Sequence, residues 1–307
     1  MNPLKGIALK LCAVLLFIVM MSMIKATADH VPPGQAVFFR SFFAIPVILV
    51  WIWWRQELST GLKVQSPMSH FWRGFVGTTA LGLGFAALGL LPLPEVTALG
   101  YTAPLLVVIF AAMFLDEKVG VFRIGAVSLG LVGVFIVLTP RLTTLSGSTV
   151  ETAQAVGAVL MLLSATSAAL AQIYIRKLVQ TEQTSAIVFY FSLTATLLSL
   201  LTIPFGWVMP DPREMALLIM AGLIGGVAQI FLTSAFRLAD ASVIAPFDYA
   251  SMLFALVIGY VIFDEVPTAT MLWGATLVIS AGIIIILRER QLGLKRNRAR
   301  ATHTPHG

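Results

Sequence analysis

The chain has 307 residues, a formal net charge of +6, 58% hydrophobic and only 11% charged residues, and a mean hydropathy of +0.94. A soluble domain has roughly 45–50% apolar and about 25% charged residues, so this chain cannot hide its apolar surface in water and must use lipid as solvent for most of its length. Its basic residues fall in short loops and a C-terminal stretch without any groove-reading motif, which sets aside nucleic acid as a partner and leaves the lipid bilayer.

Runs of about 20 apolar residues predict an all-α membrane protein with ten transmembrane spans at 7–27, 34–54, 71–91, 96–115, 121–139, 153–175, 184–205, 214–236, 242–263 and 268–287. Span 1 follows Lys5 and has no small-residue cleavage site, so it reads as a retained signal anchor. The single cysteine, Cys12, sits in its apolar run with no metal-ligand spacing around it. Lys10 and Lys25 lie toward the two ends of this span, positions that suit snorkelling or a substrate role, with Lys25 also a coupling or gating candidate. In span 2, Arg40 lies within VFFRSFF, inside the membrane, as an anion partner in the pathway or one half of an interhelix ion pair. Trp51, Trp53, Trp54 and Trp72 read as interfacial anchors.

Glycines 77, 82 and 84 in span 3 predict close helix packing. Glu95 opens span 4, where a helix N-terminus favours a carboxylate and where coupling or gating is the functional alternative. Tyr101 follows in the same span, and Asp116-Glu117 marks the turn to span 5. Past a Thr- and Ser-rich link at about 141–154, span 6 carries Gln172 and Tyr174, span 7 Tyr190, and span 8 Gln229 with Gly222-x-x-x-Gly226. Asp248 and Tyr249 lie in span 9, with Asp240 nearer the loop as a cap and Asp264-Glu265 at the following turn. Amides and phenols at membrane depth either hydrogen-bond and stack on a cargo or tie helices together. A carboxylate such as Asp248 needs a partner, water or a proton there.

Alternate loops divide the positive charge unequally. One side collects Lys5, Arg55, Lys63, Arg73, Lys118, Arg123, Arg176, Lys177, Arg237 and the basic tail, and the other holds Arg141 and Arg213. The expectation is a multi-pass protein of the bacterial inner membrane with both termini cytoplasmic. The segment from Tyr101 to Leu138 also recurs in Tyr249 to Leu287. Tyr101 and Asp116-Glu117 match Tyr249 and Asp264-Glu265, and after a one-residue insertion Gly125, Gly133 and Leu138 match Gly274, Gly282 and Leu287. Five spans per copy, an odd number, make the copies inverted in topology. The boundaries expected are a first repeat at 6–140, a second at 153–288, and a basic, mostly disordered tail at 289–307.

These features, and the helix-end pattern running through Pro104-Leu105, Asp116-Glu117, Gly125 and Gly133, resemble the EamA-type transporters of the drug/metabolite transporter superfamily. Met252 departs from the pattern where the second copy should carry its proline. The resemblance covers about residues 6–288. It implies a secondary-active carrier of a small metabolite working by alternating access, without a cofactor, as a monomer or homodimer. Residues 70–106 look like a branch that includes riboflavin importers, which makes riboflavin uptake the first substrate reading. S-adenosylmethionine uptake and export of amino acids or drugs are the alternatives.

Read as a binding site, the polar residues give Arg40, Tyr101, Gln172, Tyr174, Tyr190, Gln229, Asp248 and Tyr249 as substrate-binding candidates, with Lys25 and Glu95 for coupling or gating. An intramembrane lipid-modifying transferase is the competing class. It requires acid, base or metal ligands clustered at one depth, whereas His30, His70, His303 and His306 all read as loop or tail residues. A membrane scaffold or receptor is a third class, disfavoured by the lack of extramembrane domains. No nucleotide, nucleophile-elbow or zinc motif is present, so no catalytic or metal residue is nominated.

Overall fold

The computed structural model describes residues 3–57, 60–114, 121–142, 149–238 and 245–302, where the chain forms helices and no strand. In chain order these are α1 (Pro3–Lys25), α2 (Pro33–Phe42), α3 (Ala44–Trp54), α4 (Pro67–Leu88), α5 (Leu93–Gly100), α6 (Thr102–Phe114), α7 (Val121–Leu142), α8 (Thr149–Thr181), α9 (Thr184–Leu200), α10 (Pro212–Leu238), α11 (Ala250–Phe263) and α12 (Ala269–Thr302). Pro33, Pro67 and Pro212 open α2, α4 and α10, where a missing N–H costs nothing. Asp116, Glu117 and Asp240 lie outside the described residues.

Every predicted span is helical over its described residues, but three are interrupted. Span 2 breaks between α2 and α3 at Phe43, and span 4 between α5 and α6 at Tyr101. The cause is proline: Pro46 and Pro104 have no N–H to offer the carbonyls of Phe42 and Gly100, four residues earlier, where α2 and α5 end. At Tyr101 the backbone tightens, its N–H reaching the Ala98 carbonyl at 3.3 Å. In the second half a 3-10 turn, Ala245–Tyr249, stands before α11 and puts its break at the matching tyrosine. Among the described residues five helices are long and apolar enough to cross a membrane and four more apolar helices are shorter. α4, which carries His70 and Arg73, is in neither group.

Two expectations change. Residues 289–302, expected to be disordered, continue α12 as helix; Arg, Lys, Gln, Leu and Ala are good helix formers, and cations suit a helix C-terminus. His70, read as a loop residue, lies inside α4 and is buried.

The most extensive helix pairs are α1 with α10, α4 with α8, and α7 with α12, each joining the first half to the second. Exchanging the halves (α1 for α8, α4 for α10, α7 for α12) maps this set onto itself. The pairs α2 with α9 and α5 with α11 also join corresponding spans. The chain is therefore a two-repeat bundle with approximate twofold symmetry, its halves interlocked. Close approach makes this possible: a methyl at Gly133 would lie 2.7 Å from the Gly274 carbonyl oxygen, and one at Gly274 2.6 Å from the Gly133 carbonyl oxygen. Gly222 and Gly226 seat α10 against the backbone at Phe39 and Ala44 in the same manner.

The main core draws on both halves, with Ile18, Ile24, Phe39, Leu88, Leu105, Phe191, Met252 and Val278 among its buried members. Outside it, Trp53, Trp54, Phe135, Leu253, Val261 and Trp273 are each more than half exposed. An apolar exterior over a packed interior is the arrangement of a multi-pass membrane protein, where acyl chains cover the outside.

Candidate functional site

The most unusual chemistry lies between α2, α4, α9 and α10. Arg40 of α2 and Arg73 of α4 are 2% and 5% exposed. Both guanidinium groups stand over the ring of Phe191 on α9, Arg73 at 3.7 Å and Arg40 at 5.2 Å from its centroid. Desolvated contacts of this kind contribute about 2 kcal/mol. Arg40 Nη2 also donates to Gln229 Oε1 of α10 at 3.4 Å. Local sequence makes the space: a methyl at Gly77, one turn beyond Arg73, would lie 2.6 Å from Arg73 Nη1 and 2.8 Å from Phe191 Cε2. Gly225 of α10 makes room for Met20, a methyl there lying 2.7 Å from its Sδ and in ordinary contact with Arg40 Nε at 3.5 Å.

Among the described residues these cations have no balancing acid. No described carboxylate forms a salt bridge with either arginine. Nε and Nη1 of both side chains are buried without a hydrogen-bond partner, as are the hydroxyls of Ser41 and Ser192, the next residues along α2 and α9. Leaving a buried donor unsatisfied costs roughly 1–3 kcal/mol, and more when it is charged.

A second group lies where α5 meets α11. Tyr101 and Tyr249, the matching tyrosines of the two repeats, meet edge to face with centroids 5.0 Å apart. The Tyr101 hydroxyl shares a 2.7 Å hydrogen bond with Ser251 Oγ and donates more weakly to the Tyr249 carbonyl at 3.3 Å. The Tyr249 hydroxyl occupies the place where a side chain at Gly282 would stand.

Two ion pairs flank this centre, both joining α1 to the second half. Lys10 Nζ stands 2.7 Å from Asp248 Oδ1, with side chains 3% and 40% exposed. Lys25 Nζ stands 3.0 Å from Glu265 Oε1, and these side chains are 15% and 14% exposed. Lys25 also donates to the carbonyls of Leu88 and Leu91 at 3.1 and 2.7 Å, while the Leu93 N–H donates to Glu265 Oε2 at 2.8 Å. One cluster thus ties the end of α1, the α4–α5 turn and the end of α11. Asp264, left-handed at φ 52°, turns the chain just before Glu265.

Of the remaining nominated residues, Glu95 is buried in the first turn of α5. Tyr190 donates to the Leu62 carbonyl at 3.1 Å and packs beside His70, near the α3–α4 connection. Gln172 is exposed and Tyr174 half-buried on α8, and neither hydrogen-bonds to another nominated residue. An apolar cavity of about 220 Å³, lined by Ile24, Val31, Phe85 and Leu90 among others, lies near the Lys25 end; neither arginine lines it.

Sequence reasoning nominated Arg40 and Gln229 separately, and the structure joins them. It missed Arg73, which charge counting assigns to a loop, and it discounted Glu265 as a turn residue. The position of Arg73 between Trp72 and Gly74-Phe75, already inside an apolar run, was the available sign.

The comparisons with known proteins agree with this architecture. The pseudopaline exporter of Pseudomonas aeruginosa is 31% identical over 284 residues, covering 91% of this chain and 95% of that protein. An S-adenosylmethionine uptake transporter of Rickettsia felis is 28% identical, with 84% of each chain covered. A riboflavin transporter of Rhizobium johnstonii is 27% identical over 84% of this chain and 82% of its own. One solved crystal structure shares the fold with a TM-score of 0.66 at 18% identity, over 95% of this chain and 99% of that one. The EamA-like transporter family matches twice, at residues 4–139 and 155–288, and the chain belongs to it.

Proposed function

We propose that this small-molecule transporter is a secondary carrier that moves a metabolite by alternating access, its two repeats rocking about the central site. The observation that carries the reading is the pair of lysines on α1, each bonded to an acid of the second half. Lys10 and Lys25 are fifteen residues apart, about 22 Å along a helix, so the two ion pairs sit at different depths. We assign Lys25–Glu265 as the gate that is closed in this conformation, because both partners are largely buried, and Lys10–Asp248 as the gate nearer to opening. The charge distribution in the loops supports placing Lys10–Asp248 on the cytoplasmic side, with both termini in the cytoplasm.

Relatives with similar scaffolds carry different names, so the finer reading from the sequence, riboflavin uptake, enters as one cargo beside S-adenosylmethionine and pseudopaline. The test is flux in proteoliposomes with riboflavin, S-adenosylmethionine or pseudopaline supplied in turn. The expected result is saturable, protein-dependent flux of one of them that falls at least tenfold when cysteines placed at Lys25 and Glu265 are cross-linked, and returns on reduction. Undiminished flux after complete cross-linking would overturn the gate assignment.

A further inference from the structure

We propose that Arg40 and Arg73 form a binding site for an oxyanion, so that the cargo carries an ionised carboxylate or phosphate group that docks between α2, α4, α9 and α10. The inference rests on the transport reading and narrows it to a chemical class of cargo.

The argument is one of charge and satisfaction. Two guanidinium groups lie together inside a membrane protein, more than nine-tenths buried, with no described carboxylate in a salt bridge to either. Among the described residues, the acceptor holding Arg40 is the neutral amide of Gln229, at a long 3.4 Å. Charged side chains at membrane depth are rare and pair with something or face the transport path. Arginine stays protonated, so it cannot escape the cost by losing its charge. Phe191 lowers that cost through its ring face but makes no hydrogen bond to Nε or Nη1, which stay unpaired on both side chains. A planar guanidinium fork with free donors matches the two oxygens of a carboxylate or phosphate.

Gly77 carries no side chain where one would press on Arg73 Nη1 and Phe191. The site takes its residues from α2 and α4 of the first half and α9 and α10 of the second, so an anion held there would be gripped from both repeats. An uncharged cargo such as riboflavin offers the arginines no ionised group, whereas the amino-acid carboxylate of S-adenosylmethionine does.

The test uses the full-length purified protein in detergent, with malonate and inorganic phosphate as probes and sodium chloride at matched ionic strength as reference. The expected result is a saturable rise in melting temperature of several degrees with at least one probe, absent in R40Q and in R73Q and retained in R55Q, whose arginine is exposed. Stabilisation by malonate alone names a carboxylate, and by phosphate alone a phosphate. No stabilisation of the wild type, or equal stabilisation in R40Q and R73Q, would overturn the proposal. Should either glutamine variant fail to fold, R40K and R73K replace it, and the proposal then requires at least a tenfold weaker apparent affinity. Failure of the two readings is separable: flux of S-adenosylmethionine that R73Q leaves unchanged overturns the oxyanion site and not the carrier, while anion binding without flux of any cargo does the reverse.

Discussion

At the scale of single residues, glycines decide where polar and aromatic groups can stand. Gly282 is the clearest case, because the Tyr249 hydroxyl fills the space its side chain would need. Overpacking of this sort costs typically ~1–3 kcal/mol. G282A should therefore lower the melting temperature of the purified protein, and Y249F, which removes the obstructing oxygen, should restore part of the loss in the double variant. A double variant no more stable than G282A alone would show that the two do not compete for that space. Legibility at this scale was partial. Arg40 declared itself because it interrupts an apolar run far from any loop. Arg73 did not, because a cation six residues into a helix is counted with the loop charges that orient the protein, and only burial distinguishes the two roles. Glu265 was seen only as a turn residue for a related reason: its partners Lys25 and Leu93 are remote in sequence, and nothing local to a turn acid says which helix end it will reach.

At the scale of elements, runs of apolar length located helices, and proline located the interruptions in the first half. Pro104 ends α5 at Gly100 and leaves Tyr101 in the break. P104A should supply the missing N–H, let α5 run into α6 and turn the Tyr101 hydroxyl from Ser251. We expect melting temperature to be unchanged or higher, with flux reduced several-fold; unaltered flux would mean that the break does not position Tyr101 for transport. The second half reaches the same break with Met252 where the proline should be. That was not readable from sequence, since a 3-10 turn imposed by tertiary packing needs no local breaker.

At the scale of the molecule, the repeat was legible from a few ordered features, whereas the interlocking of the halves was not, because helix pairing across copies leaves no trace in a single sequence. The pattern of cross-half contacts makes α1 a strut between two ion pairs. Weakening the buried one should shift the population toward the opposite opening. In a C12S background, K25M/E265Q should raise thiol labelling of a cysteine at Leu91 several-fold and lower labelling of one at Ser251. Parallel changes at both positions would indicate loosening of the bundle in place of exchange between two states.

The meeting of Tyr101 with Tyr249 has an evolutionary meaning. In a homodimer of identical five-helix chains, a residue lying on the axis faces its own copy, and every mutation there strikes twice. Once both copies lie in one polypeptide that constraint lifts. Here one tyrosine keeps a proline three residues ahead and hydrogen-bonds Ser251, while its twin has a methionine at that place and sends its hydroxyl toward a glycine. With both copies in one polypeptide, the two sides of the centre are free to differ.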